Sequence, residues 1–580
     1  MKTKKLLAVL ALTLTAAMAV GCGSTTSENT NNEGTDLSSS EITRYEASDM
    51  SQSPKAAANR GTDTLIIGSF EFDGCFNPLG YSSSSYDWEV YHTLFEPLIA
   101  PDEKGEMTEY RLAESYEVSD DNLTYTFKLK DGLKWSDGQP ITAKDVAFSY
   151  KLMCDKTYAG ENDFVTGSTV VVGTKAYHDG TAEDISGIEV VDDQTIKFTL
   201  EKPNSGAIYD FGTLEPVAEH FYKDYYKHGN TDRMQETFTN PGPTSGAYKF
   251  VSYKEGQEVR VEANDQSYLG APKIKNIIWR VNTDDTKVAM LKSGETDVDS
   301  VNVDVDNVDQ LESAGFLGYD MFPTNGYGYI GVNHTDSSVL KDNAVVQALM
   351  TGLNREKIVK TVYDQYAHVM NSFQSKSSWT YADVSNNYDY DLEKAKQILD
   401  DAGWKEGSDG IREKDGKKLE VHLVGTTNNP VVDALVPVAT NDWKELGVHF
   451  TSEVMQFPSM RQKIKNADGW DLYFMAHGLL ADPSSMALTY RTGAPQNWLG
   501  YSNTKVDNLF DDITAETDTD KLKDLYKDVY TEMNENLPEI PLYQRNDLYA
   551  YNGRVKNFKV SPYQFYGYYL YQVELEDSSK

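Results

Sequence analysis

The sequence predicts an α/β protein with mixed sheets, and three observations carry that prediction. Short apolar or alternating runs, such as "DTLIIGSF" from Asp63 and "NLTYTFKLK" from Asn122, read as strands. Amphipathic runs between them read as helices. Neither an internal repeat nor a long linker interrupts the pattern after residue 61.

Composition sets the limits. The 580 residues, 39% of them hydrophobic, exceed one small core and imply two or three domains. A formal net charge of −36 repels phosphate backbones, which excludes nucleic acid as a partner and favours solubility.

At the N-terminus, Lys2, Lys4 and Lys5 precede an apolar run, Leu6 to Val20, too short and wrongly flanked to span a membrane. The run ends in "AVGC", Ala19 to Cys22. Small residues before a cysteine resemble the lipobox at which bacterial lipoproteins are cleaved and diacylated. Residues 1–21 are then a signal peptide and Cys22 the lipidation residue; a plain secretory signal is the other reading. Loss of the three lysines takes the net charge to −39. Residues 22–61, rich in Ser, Thr, Asn, Glu and Ala, hold too little apolar surface to fold and read as a disordered tether. Two acyl chains would hold it stably on a membrane. The other cysteines, Cys75 and Cys154, either pair outside the cytoplasm or stay as buried thiols.

The folded body begins near Thr62. Leu123, Tyr125, Phe127 and Leu129 alternate with polar residues, a half-buried strand that ends in an Asp131-Gly132 turn. Thr142 and Asp145 form a capping box, with Asp in the Glu position, ahead of a helix whose stripe is Val146, Tyr150 and Met153. "ISGIEVVDDQTIKFTL" is strand–turn–strand. "NAVVQALMTGLNREKIV" and "DLEKAKQILDDAGW" read as helices, the second stopped by Gly403. "TDKLKDLYKDVYTEMNENLP" is another. "KLEVHLVG" and "WDLYFMAHG" read as strands.

Motifs of bond chemistry are missing. The chain has no H-E-x-x-H, G-x-x-x-x-G-K-[ST] or G-x-S-x-G, and its nine histidines are scattered. No enzyme, cofactor or metal site is therefore expected. "TDVDSVNVDVDNVD", Thr296 to Asp309, lacks the glycine and glutamate of a calcium loop and reads as a solvated strand with a loop. Gly326, Gly328 and Gly331 spell G-x-G-x-x-G. Their neighbours alternate as a strand, a turn follows, and a helix starts only near Asn343. A dinucleotide loop needs the helix at once, so the motif is a coincidence. Its glycines allow a backbone or ligand to approach closely.

The stretch "LAESYEVSDDNLTYTFKLKDGLKWSDGQPITAKDVAFSYKLM", Leu112 to Met153, resembles the signature region of the family 5 extracellular solute-binding proteins. "TSGAYKFVSY", "LKSGETDV", "YIGVNHTDSSVLKDNAVVQALMTGLNREKIV", "DLEKAKQILDDAGW", "DLYFMAHGLLADPSS" and "LPEIPLY" agree with it in order. The resemblance implies a periplasmic-binding-protein-like fold of two lobes (type II, cluster C) with a two-crossover hinge. Lobe 1 would comprise residues 62–105, 235–321 and 544–580 with an inserted domain at 106–234, and lobe 2 residues 322–543. It also implies a monomeric, lipid-anchored, extracytoplasmic receptor. Such a receptor closes on an oligopeptide and passes it to ABC permease subunits and their ATPases. An oligosaccharide receptor and a peptide-sensing receptor are the alternatives.

The resemblance also supplies candidate ligand-binding residues. Ser83, Ser85 and Asn302 would come from lobe 1. Tyr329, His477, Gly478, Asp482, Asn497 and Trp498 would come from lobe 2. Tyr329 fits an ordinary strand tyrosine equally, and Trp498 a core residue. Peptide receptors pair the cargo's α-ammonium with an aspartate just before a "DP" turn. Here that position falls on Leu479 or Leu480. Asp482 replaces it, or the amine is met elsewhere, or the cargo has no free amine. A turn cap is the other reading of Asp482.

Overall fold

The computed structural model describes residues 42–162, 164–467 and 469–577. The signal, Cys22 and the first part of the expected tether lie outside the described residues. Among those described, no helix is long and apolar enough to cross a membrane.

Apolar side chains gather into two large clusters and a small third. One runs from Leu65 to Phe322 and from Tyr551 to Leu575. The second draws only on residues between Tyr327 and Tyr543. Two separate cores in one chain make two lobes. A 13-stranded mixed sheet passes through both. Its main path runs through His449–Met455, Glu420–Thr426, Leu472–Gly478, Gly326–Val332 and Glu539–Asn552. It continues through Val298–Ser300, Thr64–Ser69, Asn276–Val281, Glu258–Ala263 and Tyr248–Lys254. Glu420–Thr426 and Thr64–Ser69 are parallel to both neighbours, and the other pairings on the path are antiparallel.

The 14-residue strand Glu539–Asn552 joins the lobes. Its first part pairs with Gly326–Val332 and its second with Leu317–Pro323. The chain thus crosses between the cores at two adjacent places, residues 323–326 and 543–546. Thr324 N donates to Arg545 O at 2.9 Å. The buried Gln544 amide donates to Thr324 O at 2.8 Å and to Ser375 Oγ at 2.7 Å. These bonds pair the Thr324 and Arg545 carbonyls just past Pro323, where the strand ends.

Residues 113–199 behave locally as the pattern requires. Thr124–Leu129 buries Tyr125, Phe127 and Leu129, and Gly132 takes a left-handed φ of 72° in the turn that follows. The capping box is formed: Thr142 N donates to Asp145 Oδ2 at 2.8 Å, and Val146, Tyr150 and Met153 are buried. A four-stranded sheet in the order Ala113–Val118, Thr124–Leu129, Thr195–Thr199 and Ile188–Val190 sends its apolar face into the first core. Cys75 and Cys154 are both buried and are not joined in a disulfide, and burial pushes the Cys75 thiol up to about 12.

Three elements depart from the sequence reading. Residues 42–61, expected as tether, dock on the body. Thr43–Tyr45 pairs with Tyr319–Met321, Arg44 grips Asp320 through two bonds of 2.8 and 2.7 Å, and Tyr45 stacks on Tyr319 at 4.4 Å. A free strand edge gives polar residues the backbone partners that their composition cannot. "NAVVQALMTGLNREKIV" forms two helices, Asn343–Thr351 and Arg355–Tyr363. At Gly352 a Cβ would lie 2.5 Å from Leu446 Cδ1, and the Asn354 side chain caps the second helix on Lys357 N at 2.9 Å. The Asp297 and Asp299 side chains are fully buried rather than solvated, and Asp297 is held by Arg60 at 2.5 Å.

Candidate functional site

Strand Leu472–Gly478 has one closed and one open edge. Along its closed edge all seven residues pair with Gly326–Val332. On the other edge only Leu472 and Tyr473 pair, with Leu423 and Val424. From Phe474 to Gly478 that edge has no partner strand among the described residues. Ala476 and Gly478 are exposed, and a Cβ on Gly478 would meet open space. Unpaired N–H and C=O groups in a row are a template for another extended chain.

Behind this edge lies a packed polar cluster. The His477 ring stacks on Tyr329 at 3.9 Å with 4° between planes. His477 Nε2 lies 3.1 Å from Glu539 Oε2 and 3.1 Å from the Tyr490 hydroxyl. The Tyr327 hydroxyl donates to Glu539 Oε1 at 2.8 Å, and those of Tyr329 and Tyr473 meet at 3.4 Å. Glu539 is fully buried. Burial first, then the Glu539 charge, pushes the Tyr327 and Tyr490 phenols far above their ordinary range. Two strands and the helix Ala487–Tyr490 thus fix the imidazole from several sides.

The glycines of "NGYGYIGVN" now have a reason. A Cβ at Gly328 would lie 2.2 Å from Tyr543 Cε1, and one at Gly331 would lie 2.2 Å from Tyr473 Cζ. Aromatic rings lie across this strand where side chains would otherwise stand.

Asp482 begins the turn Pro483–Met486. Its Oδ1 accepts from Ser484 N at 2.9 Å and its Oδ2 from Ser484 Oγ at 2.7 Å, so it caps that turn. It also faces the other lobe: a Cβ on Gly206 would lie 2.9 Å from Asp482 Oδ2. Around it the lobes touch through Ser205 N to Thr514 O at 3.0 Å and Trp379 Nε1 to the Tyr209 hydroxyl at 3.0 Å. Burial pushes Asp210 up to about 6; a Thr169 hydrogen bond opposes this, and the Asp482 charge adds a smaller push.

The remaining candidates lie apart from this cluster. Ser83 and Ser85 are exposed at the start of helix Ser85–Leu94, and Asn302 is exposed after strand Val298–Ser300. No hydrogen bond or ring contact among the described residues joins them to Tyr329 or His477. Asn497 spends both amide hydrogens on its own loop, donating to Arg491 O at 2.9 Å and Tyr501 O at 2.8 Å. Trp498 lies under Arg461 at 5.5 Å and Lys465 at 5.0 Å. A cavity of 230 Å³, lined by Val369, Met370, Lys376 and Tyr381 among others, holds none of the nine candidates.

The sequence reading missed Glu539, Tyr327, Tyr473 and Tyr490. Glu539 left one signal: it is a lone acid between Leu537-Pro538 and Ile540-Pro541. An acid inside an apolar run is burial waiting for a partner.

Lobe 1 presents its own buried acid at the carboxyl ends of parallel strands, where α/β sheets bind ligands. Asp299 Oδ2 accepts from Asn282 Nδ2 at 2.5 Å, while Asp299 Oδ1 and Asn282 Oδ1 are buried without partners. Burial pushes Asp299 up to about 7, and Lys287 opposes the shift. The folded state therefore keeps a proton that the unfolded chain, near 3.9, has released. Stability at this site falls as pH rises from about 4 to about 7, by at most ~1.4 kcal/mol per unit. Asp299→Asn is expected to gain on wild type across that window and to differ little from it below about pH 4. Melting temperatures at a series of pH values check this, and a constant offset would overturn it.

Comparison with known proteins places these features in a family context. The model of the bacterial extracellular solute-binding proteins, family 5 Middle, matches residues 108–498. Oligopeptide-binding protein AppA of Bacillus subtilis (strain 168) is 30% identical over 514 residues, covering 86% of this chain and 89% of that protein. Di/tripeptide-binding protein 1 of Pseudomonas aeruginosa (strain UCBPP-PA14) is 24% identical over 519 residues, covering 85% and 91%. The solved structure of Bacillus subtilis AppA in complex with a nonapeptide aligns with a TM-score of 0.66 at 26% identity, covering 88% of this chain and 99% of that one.

Proposed function

Because the chain belongs to the bacterial extracellular solute-binding proteins of family 5, we propose that it is the oligopeptide receptor of an ABC importer. The observation that carries this reading is the unpaired edge Phe474–Gly478. An extended peptide adds to it as a strand, so main-chain bonds supply affinity and side chains enter wet pockets. The peptide-binding relatives support the same class of cargo.

The mechanism is a population shift. Lobe 1 (62–105, 235–321 and 544–580, with 106–234 inserted) and lobe 2 (322–543) hinge about the two crossings. Ser83, Ser85 and Asn302 meet cargo from one side, and Tyr329, His477 and Gly478 from the other. Cargo that touches both lobes only when they close favours closure by its differential affinity. Moving the population from 1:99 to 99:1 needs about 5.5 kcal/mol. The closed receptor, held at the membrane through diacylated Cys22, docks on the permease and releases its cargo intact.

Native mass spectrometry of protein purified from rich medium is expected to show co-purifying peptides, and small-angle scattering to show compaction when they are added back. Co-purifying sugars, cleaved cargo or an unchanged scattering profile would each sink the reading.

A further inference from the structure

We propose that residues 42–61 are a hinge brace: they pin the strands that lead into the two crossings to lobe 1, and so set how readily cargo closes the lobes. This rests on the closing-receptor reading and goes beyond it, since the partners of the brace are not cargo residues.

The body is shaped to receive this segment. Asp297, Asp320 and Arg554 are buried charges, at most 1% exposed, and each takes a partner from it. Arg60 Nη2 donates to Asp297 Oδ1 at 2.5 Å, Arg44 donates to both oxygens of Asp320, and Arg554 donates to Ala57 O and Gly61 O. Buried charges without partners are costly, so a segment that merely lay on the surface would not be met by three of them. Glycines leave it room as well. A Cβ on Gly553 would lie 2.5 Å from Met50 Sδ, and one on Gly318 would lie 2.8 Å from Tyr45 O. Between these points Ser48 N and Asp49 N donate to Gly315 O at 2.7 and 2.8 Å.

Position makes the segment a brace. Its strand Thr43–Tyr45 flanks Leu317–Pro323, which pairs on its other side with the second part of Glu539–Asn552. Leu317–Pro323 ends at one crossing, residues 323–326, and Glu539–Asn552 contains the other, residues 543–546. All three strands meet on one carboxylate: Arg44 holds Asp320 from the brace, and the Tyr551 hydroxyl donates to Asp320 Oδ1 at 2.9 Å from the far strand. Tyr45 adds an apolar link. It packs on the third cluster, which unites Tyr319, Met321 and Leu548 of the hinge strands with Tyr366 from beyond the first crossing. Tyr366 O accepts in turn from Asn546 N at 2.9 Å, within the second crossing. The brace and both crossings thus share one packed pad. A strand held on both edges opens less often than a strand held on one. With the brace seated, motion is confined to the crossings. Without it Leu317–Pro323 loosens as well, and cargo must order that strand on closing, at a loss of affinity.

The test uses the full-length protein and its Tyr45→Ala and Arg44→Met variants, with a mixed library of short peptides as the probe. Calorimetry reads affinity, hydrogen exchange reads the amides of Leu317–Phe322, and thermal unfolding shows that each variant is folded. Both variants are expected to bind the library about fivefold or more weakly than wild type, although neither side chain is placed at the cargo. Exchange of the Leu317–Phe322 amides is expected to quicken about tenfold or more, while that of Phe474–Gly478 stays as in wild type. If Arg44→Met does not fold, Tyr45→Ala alone decides. Unchanged or tighter binding by a folded variant would show that the segment only stabilises lobe 1, and unchanged exchange at Leu317–Phe322 would show that it does not hold that strand. Either result overturns the inference and leaves the receptor reading standing. Wild type that binds no peptide overturns both.

Discussion

Arg355→Met is expected to cost about 4 kcal/mol of folding stability, the largest effect of any single substitution considered. Arg355 is 3% exposed and makes five hydrogen bonds. Nη1 donates to Met370 O at 2.8 Å and Pro541 O at 3.0 Å. Nη2 donates to Asn371 Oδ1 at 2.9 Å and to Asn387 O and Tyr388 O, both at 3.0 Å. One side chain thereby ties helix Arg355–Tyr363 to two points of the 370–388 segment and to the strand that joins the lobes. Methionine fills similar volume but leaves four backbone carbonyls without this donor, at about 1–3 kcal/mol each before relaxation. Removing the charge returns part of that cost, since burial pushes the guanidinium down to about 10. Lysine is expected to rescue little, because a single ammonium cannot span a forked set of acceptors. Urea unfolding with an unchanged m-value measures the loss. A deficit below about 1 kcal/mol would show that the fork is dispensable.

Gly331→Val is expected to cost about 3 kcal/mol and to weaken peptide binding with it. The valine Cβ would stand 2.2 Å from Tyr473 Cζ, whose ring is buried and shares a hydroxyl contact with Tyr329. Either ring or strand must move. Tyr329 carries the His477 stack, so the disturbance reaches the open edge. Thermal unfolding and calorimetry on the same sample check both parts. A stable variant with wild-type affinity would mean that the rings repack freely around a branched side chain.

The two substitutions illustrate different degrees of legibility. The strand through Gly326–Val332 was readable because its neighbours alternate and no helix follows. The need for glycine at 328 and 331 was not, since Tyr543 and Tyr473 lie 215 and 142 positions further along the chain. Likewise, Thr142 and Asp145 announce a helix start within four residues, whereas the docking of residues 42–61 depends on a strand edge near residue 320. Tyr329 came from one family block and His477 with Gly478 from another, and strand pairing brings the Tyr329 ring against His477. Asn497 and Trp498 came from the same kind of alignment, but local bonding to Tyr501 and the cations of helix Phe457–Lys465 engages them.

By itself the sequence determined the α/β class, the order of strands and helices, the solute-binding family and the lack of bond-making motifs. Those features are written in short-range periodicity and in contiguous signature blocks. The tertiary structure alone decided which strand edge stays open, why the glycines are required, and that Glu539 stands behind His477. Each of these depends on groups distant in sequence meeting in a desolvated space, and no local pattern records such a meeting.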